Sequence, residues 1–434
     1  MRLTIHPDKH NSIRWWVLSM LFFATVIGYI DRLTISLLAP VIEKDLGINN
    51  LQYAGIATWF LLTYSAFQLF AGRMYDKIGI KKGYTLSITV WSVASVLHAF
   101  SRGVTGLSIF RGLLGIGEAG HWPGAIKCIA EWFPEKTRAV AMGIVNAGAS
   151  VGSILAPPFV IWLLLSFGWK STFIVTGSLG FLWVILWRLF YRSPDKSKRV
   201  SPGQGAAPAV AGPEVLEAAA AEEKDIPVAE KTASLKKLYG KRQLWGITVG
   251  RFIGDPIWWL YLLWLPLYLK NKRGFTMEEI GALAWLPYFF AALGGICGGW
   301  LSGWLIRRGF SVHKARVTAI VIGTLFLPFG YFIAHAPSSV SMWIYISLTL
   351  FGFQFWVNNV QTLPSDIFEK KYVGSVAGMA QSGAGFGSML LMLATGWVVD
   401  RFSYAPILFT ASLLGPLATL SLILITGKIK KITL

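Results

Sequence analysis

Charged residues and cysteines are both scarce in this chain. Of its 434 residues only 14% carry a charge, whereas 54% are hydrophobic. Cysteine occurs twice, as Cys128 and Cys297, in or beside apolar stretches that lie far apart in the sequence. Two isolated thiols exclude a disulfide-rich scaffold and provide no metal-binding spacing. The sequence therefore predicts neither a structural disulfide nor a metal site, and no cofactor is indicated.

Long hydrophobic runs take the place of the missing charge. Apolar runs of about twenty residues are typical of membrane-spanning helices, whereas the strands of a membrane barrel alternate over about ten residues. The sequence therefore predicts an all-α polytopic protein that lies in a lipid bilayer. The twelve predicted spans are 15–41, 50–71, 83–100, 104–129, 138–165, 170–190, 244–269, 278–305, 314–334, 340–364, 372–398 and 405–426.

Basic residues account for the net charge of +19, and their distribution follows the predicted spans. Of the 40 Lys and Arg residues, 28 fall in the terminal and loop segments of one side, whereas 7 fall in the loops of the other side. This asymmetry is the positive-inside bias of membrane proteins, and it predicts that both termini lie in the cytoplasm. The basic charge thus records orientation in the bilayer, and no nucleic-acid partner is predicted.

A polar segment divides the spans into two groups of six. Residues 194–234 are rich in Ala, Pro, Gly, Glu and Lys and contain no aromatic residue, so they are not expected to form a packed core. Short patterns of the first half also recur in order in the second half, which supports a duplicated six-helix unit. The predicted organisation is an N-terminal bundle (12–193), a cytoplasmic linker (194–240) and a C-terminal bundle (241–430).

The loop after the second span combines glycines, an aspartate and lysines at regular spacing. Its sequence is Gly72-Arg-Met-Tyr-Asp76-Lys77-Ile-Gly79-Ile-Lys81-Lys82. This pattern resembles the loop signature of the major facilitator superfamily, and a degenerate copy with Gly303 in place of the acid follows span eight. The resemblance implies two pseudo-symmetric six-helix halves, in which Gly72 allows close helix approach and Asp76 meets a helix amino terminus. The alternative is a loop that is merely basic.

Charged residues also lie inside the first and fourth predicted spans. Asp31 and Arg32 are about 24 Å along the first helix from Trp15, at a rise of about 1.5 Å per residue. In the fourth span, Arg111 and Glu118 share one helical stripe and come to a similar depth. An isolated ion is unstable at membrane depth, so the two acids and two arginines are expected to meet in one polar cluster.

This cluster can couple a proton to an anion. Protonation of Asp31 is expected to release Arg111, and protonation of Glu118 is expected to free Arg32 for a substrate carboxylate. One alternative is a permanent ion-pair network that fixes helix packing, and another is a pair that snorkels to the headgroups. His121, beside Glu118, either joins the proton path or satisfies a single hydrogen bond.

Polar side chains on other spans are candidates for a pocket between the halves. They offer both donors and acceptors, which suits a polyhydroxylated ligand, although hydrogen bonds between helices are an alternative role. Asn146 and Gln381 occupy equivalent places in the two halves. The candidates are Tyr29, Tyr64, Asn146, Gln354, Asn358, Asn359 and Gln381.

The same motifs resemble a narrower group, the anion:cation symporter family. These motifs are Tyr-x-Asp-Arg in span one and Arg-(x6)-Glu with Glu-Ala-Gly-His-Trp-Pro in span four. Within that family, the span-ten run Asn358-Asn359-Val-Gln361 resembles the bacterial hexuronate transporters. The resemblance implies a monomeric symporter of the bacterial inner membrane that takes up protons with an anionic sugar acid such as glucuronate or galacturonate. It also implies proton sites at Asp31 and Glu118. The substrate contacts that it implies are Arg32, Tyr29, Tyr64 and Gln381.

Other functions remain as alternatives to this hypothesis. The nearest is the same fold transporting an aldonate or another organic anion, although Ala149 stands where the galactonate branch has a polar residue. A polytopic membrane enzyme is disfavoured because the sequence has no evident Ser–His pair and no metal-binding cluster. A channel is disfavoured because the membrane charges are clustered rather than repeated in rings.

Overall fold

The computed structural model describes residues 7–133, 135–192 and 238–432, and every regular element in these ranges is helical. Eight of the described helices are each long and apolar enough to cross a membrane, and the number is nine when a bent helix pair is counted as one span. Division of the two longest helices at their non-helical glycines, Gly79 and Gly168, gives the larger number of spans described next. Most of the predicted linker, residues 194–237, lies outside the described residues. The predicted domain boundaries therefore stay predictions, whereas the all-helical class is confirmed.

The described helices form twelve membrane-length spans, several of which are built from two segments. In the first half, span 1 is Pro7–Leu46, spans 2 and 3 are the two limbs of Asn50–Leu97, span 4 is Val104–Glu118 with His121–Trp132, and spans 5 and 6 are the two limbs of Glu135–Phe190. In the second half, span 7 is Arg242–Gly254 with Pro256–Leu267 and the π-turn Tyr268–Lys272, span 8 is Met277–Leu283 with Leu286–Arg307, and span 9 is Val312–Thr324 with Phe329–Ala334. Span 10 is Ser339–Ile367, span 11 is Lys370–Arg401, and span 12 is Ala405–Thr426.

At two glycines the chain turns sharply from one helical limb into the next. Gly79 and Gly168 have φ angles of 77° and 78°, which a side chain with a Cβ rarely adopts, and each ends one limb and begins the next. The contacts of the second long helix show the reversal. Trp169, just after Gly168, donates to Asp45 near the end of span 1 (2.9 Å), whereas Trp187, near the end of the same limb, stacks on Trp16 near the start of span 1 (6.5 Å between ring centres).

An even number of spans leaves both ends of the described chain on one face, here called the termini face. The opposite face carries the ends of spans 1, 5, 7 and 11. There the two halves contact each other directly. Asp400 at the end of span 11 accepts hydrogen bonds from the Asn50 amide (2.7 Å) and the Leu51 backbone (2.9 Å) at the start of span 2. The Tyr53 hydroxyl donates to the Leu263 carbonyl (2.8 Å), so the opposite face is closed between the halves.

Small residues bring the spans of the N-terminal half close together. A Cβ on Gly152 of span 5 would meet the Val26 carbonyl and the Tyr29 side chain of span 1. A Cβ on Gly115 of span 4 would meet Thr63 and the backbone of span 2. Glycine at these positions permits the backbone approach that, without a hydrophobic driving force in lipid, holds such helices together.

Two contacts of the signature loop on the termini face differ from those predicted for it. Asp76 forms an ion pair with Lys127 of span 4 (2.7 Å) rather than meeting a helix amino terminus. A Cβ on Gly72 would meet no atom within 4 Å, so among the described residues this glycine serves no close helix contact. The lysines Lys77 and Lys81 flank Gly79, whose left-handed φ makes the turn.

Candidate functional site

The centre of the candidate site is an ion pair between spans 1 and 4. The Nε atom of Arg32 donates to an oxygen of Glu118, and the two side chains are only 7% and 1% exposed. The guanidinium carbon lies 5.0 Å from the ring centre of Tyr29 and 4.9 Å from that of Tyr64. Both distances are within the range of cation–π attraction. The guanidinium therefore lies next to two phenol rings and is bonded to a carboxylate.

The location of Arg32 argues against a side chain that snorkels to the headgroups. The Tyr64 ring stacks on Phe60 at 5.6 Å, and Phe60 in turn lies 6.0 Å from the ring of Trp259 in the C-terminal half. The ion pair is thus connected by aromatic contacts to the boundary between the halves.

Asp31 and Arg111 are also buried, but they do not pair as the sequence suggested. One oxygen of Asp31 accepts a hydrogen bond from Ser95 of span 3 at 2.8 Å, and the other has no partner among the described residues. Arg111 lies 5.8 Å from the Phe60 ring, and its Nε and Nη2 atoms have no described acceptor. No ion pair joins the two within the described chain, so here Arg111 is not held by Asp31. Protonation of Asp31 would therefore break no direct ion pair with Arg111 among the described residues, and its predicted effect on Arg111 stays a prediction.

Arg111 is a buried cation with two nitrogens that have no acceptor among the described residues. Transfer of a guanidinium from water into the protein interior costs on the order of several kcal/mol, as for other ions, and only an anionic or polar partner offsets this cost. Arg111, Arg32, Asp31 and Glu118 together carry two positive and two negative formal charges. The cluster is balanced as a whole, although only one of its pairs is in contact.

His121 extends the cluster along span 4. Its Nε2 atom lies 2.8 Å from the Thr25 hydroxyl of span 1, while its Nδ1 atom is buried without a partner among the described residues. The ring borders a small cavity that Gly28, Arg32 and Glu118 also line, with room for about one water molecule. The histidine therefore belongs to the same polar region as the ion pair.

The amide candidates divide by exposure. Gln354 and Gln381 are half-buried, and Asn146 and Asn358 are exposed, the latter lying against Gly295 of span 8. Such side chains are accessible to a ligand, but their predicted roles in substrate binding stay predictions.

Asn359 is bound to its own half of the protein. It donates to the Phe355 carbonyl at 2.9 Å and accepts from Arg316 at 3.5 Å. Arg316 in turn forms an ion pair with Asp366 at 2.8 Å. The structure thus gives Asn359 a contact between helices, which is the alternative role for these amides, and its predicted contact with substrate stays untested.

Two features of the site were not foreseen. Ser95 is the hydrogen-bond donor to Asp31, but a single hydroxyl in an apolar span gives no sequence signal for its partner. Thr25 contacts the ring of His121, which lies 96 residues later in the chain, and it likewise gives no sequence signal for its partner. Partners on different helices depend on helix rotation, which local patterns do not encode.

Comparison with known proteins assigns the family. The model of the Major Facilitator Superfamily matches residues 21–391. The Hexuronate transporter of Escherichia coli (strain K12) is 30% identical over 419 residues, covering 94% of each chain. The Galacturonate transporter of Dickeya chrysanthemi is 32% identical over 321 residues, covering 74% of this chain and 90% of that one.

A solved structure has the same fold. It is a bacterial homologue of the human lysosomal transporter Spinster, in an inward-facing and unoccupied conformation. It aligns with a TM-score of 0.71 at 18% identity and covers 96% of each chain. Twelve spans, a matching family model and transporter relatives agree, and the chain belongs to the Major Facilitator Superfamily as a membrane transporter rather than an enzyme.

Proposed function

We propose that this protein is a proton-coupled symporter that takes up a sugar acid, a hexuronate such as glucuronate or galacturonate, across a bacterial inner membrane. Relatives that transport hexuronate and galacturonate support the substrate class. The excess of Lys and Arg in the segments on the side of both termini supports a cytoplasmic termini face. The opposite face is then the outside, and the described conformation is closed toward it.

The observation that carries this proposal is the buried Arg32–Glu118 pair between two tyrosines. A guanidinium is complementary to a carboxylate because its N–H groups match the two oxygens. The Tyr29 and Tyr64 phenols on either side can donate to and accept from the sugar hydroxyls. The amides of Gln354, Asn358 and Gln381 provide such groups from the C-terminal half.

Charge balance explains why proton and anion enter together. The Arg32–Glu118 pair is neutral overall. When a proton binds Glu118, the arginine loses its partner, and the substrate carboxylate restores the balance at Arg32. Either ligand alone would leave an uncompensated buried charge, which is strongly destabilising. Asp31 is the second proposed proton site, since its carboxylate is buried and one of its oxygens has no partner among the described residues.

Transport further requires that the closed face open. The hydrogen bonds of Asp400 to the start of span 2 and of Tyr53 to Leu263 join the halves at this face. Because these bonds are between polar groups, they can be exchanged for bonds to water when the halves rock apart. Alternating access of two six-helix bundles, acting as a monomer, is the proposed movement.

Uptake into proteoliposomes tests the proposal. The purified full-length protein is reconstituted, and accumulation of labelled glucuronate, galacturonate and galactonate is followed with the outside made acidic. We expect a hexuronate to accumulate above its equilibrium level, and the accumulation to collapse with a protonophore. Accumulation that is equal with and without the pH gradient would contradict proton coupling. Preference for galactonate over both hexuronates would instead identify an aldonate transporter.

A further inference from the structure

We infer that His121 and Glu118 share one exchangeable proton through the cavity between them, so that His121 is a proton-relay residue of the transporter. The inference deepens the proposed function and rests on it. It starts from two buried atoms of the same helix that lack partners among the described residues, Nδ1 of His121 and Oε1 of Glu118. Both residues line the water-sized cavity beside Arg32.

The hydrogen bonds of Thr25 determine which ring nitrogen carries the proton. The Thr25 hydroxyl lies 3.0 Å from the Leu21 carbonyl, an atom that can only accept, so the single hydroxyl proton points there. The Thr25 oxygen must then act as the acceptor in its 2.8 Å contact with His121. The Nε2 atom of neutral His121 is therefore protonated, and its Nδ1 atom presents a lone pair.

Two residues that line one cavity thus each carry a buried acceptor without a described partner. Ionised Glu118 already receives the Arg32 hydrogen bond on Oε2, and its Oε1 atom can only accept. Neutral His121 likewise offers only an acceptor at Nδ1. A buried pair of acceptors is unfavourable until a donor satisfies both, and a proton carried by a water in the cavity is a donor of the right size.

The relay is balanced in atoms and charge. When Glu118 gives up its proton, the O–H bond breaks at the carboxyl, a water passes a proton on, and an N–H bond forms at Nδ1. Neutral acid plus neutral imidazole become carboxylate plus imidazolium, so the cluster's net charge is unchanged. Glu118 is then free to take Arg32 back while the proton is still held.

The surroundings of His121 leave Glu118 as its natural proton partner. Arg32 of span 1 is the charged group that faces it from a neighbouring helix. Tyr84 of span 3 donates its hydroxyl to the His121 backbone carbonyl at 3.0 Å, which leaves the ring nitrogen untouched. Tyr75 of span 2 lies near the glycines that flank this turn. The neighbouring guanidinium disfavours imidazolium, so the proton is held only transiently.

A matched pair of histidine variants tests the relay in proteoliposomes. His121→Gln keeps a donor for Thr25 but cannot be protonated. His98→Gln is the control, because His98 is buried in the same half, stacked 4.9 Å from Phe173, and does not line the cavity. For each variant, uptake driven by a pH gradient is compared with exchange of labelled for unlabelled hexuronate, which needs no net proton transfer.

We expect His121→Gln to slow gradient-driven uptake by about 100-fold, the lower end of the range for loss of a proton-transfer group, and to flatten its pH profile. Exchange should stay near that of the wild type, and the control should change neither quantity. A wild-type pH profile for His121→Gln, or an equal fall of uptake and exchange, would overturn the relay. Absence of gradient-driven uptake by the wild-type protein would instead reject the proposed function itself.

Gly28→Ala provides a second route to the same test. A Cβ on Gly28 meets no atom within 4 Å, so the methyl group fits in the cavity and displaces water without changing either titratable group. We expect slower gradient-driven uptake with exchange retained. Uptake at the wild-type rate would exclude a water-mediated path.

Discussion

Each half of the protein buries an arginine–carboxylate pair, and the two pairs are held in different ways. In the N-terminal half, Arg32 of span 1 bonds to Glu118 of span 4, so the contact depends on how two helices sit against each other. In the C-terminal half, Arg251 and Asp255 lie one turn apart on span 7. Their side chains are joined at 2.5 Å and 3.3 Å and are 7% and 8% exposed.

This difference bears on which half of the protein exchanges charges in the proposed mechanism. A pair spaced four residues apart on one helix keeps its geometry when that helix moves as a rigid body. A pair that bridges two helices depends on how those helices sit against each other, and it is the pair that opens in the proposed mechanism. The proposal thus locates the exchangeable charge in the N-terminal half, while the C-terminal half contributes a neutralised pair and polar amides.

Removing Arg32 should have the largest effect on transport. Arg32→Ala deletes the guanidinium and leaves Glu118 buried without its partner. The loss of a desolvated charge pair with the substrate is expected to cost about 2–5 kcal/mol of binding free energy, roughly 30-fold or more in affinity. Calorimetry with glucuronate measures this. An unchanged affinity would remove Arg32 from the pocket and erase the contrast between the halves.

Replacing Asp31 should have a narrower effect. Asp31→Asn retains an oxygen that accepts from Ser95, so the local hydrogen bond survives while the titratable group is lost. We expect accumulation driven by a pH gradient to disappear and substrate exchange to continue. Ser95→Ala is the control, since it keeps the acid and removes its hydrogen bond. Full gradient-driven accumulation by Asp31→Asn would show that this acid carries no proton.

The pair on span 7 should matter least for transport and most for stability. Arg251→Met alone leaves Asp255 buried and unpaired, which is expected to cost about 3–5 kcal/mol of folding free energy. The double variant Arg251→Met with Asp255→Leu replaces both charges by apolar side chains and should recover most of that loss. Thermal unfolding in detergent and hexuronate exchange are measured together. If the folded double variant fails to exchange substrate, the pair is part of the site and the two halves are functionally alike.

Some of the site was open to prediction because its signals are local. The depth of Asp31 and Arg32 in span 1 follows from the helical rise and from the length of the apolar run around them. The stripe of Arg111 and Glu118 follows from helical periodicity. Arg32 bonds to Glu118 within the expected cluster, whereas Asp31 accepts a hydrogen bond from Ser95 and forms no direct ion pair with Arg111 among the described residues.

The sequence by itself determined the helical class, the number of spans, the division into two groups of six and the charges that lie at membrane depth. These depend on hydrophobicity, length and spacing along one chain segment, and each span must satisfy its backbone hydrogen bonds within itself. They are therefore legible without any knowledge of neighbouring helices.

Only the tertiary structure decided which side chains of different helices contact each other. The approach of span 5 to span 1 at Gly152, and of span 4 to span 2 at Gly115, sets the rotation and spacing of the helices. Those rotations bring Glu118 to Arg32 and leave Arg111 without a described acceptor on two of its nitrogens. Side-chain partners on different helices depend on small differences in packing between surfaces that are similarly apolar, and such differences leave no periodic trace in the sequence.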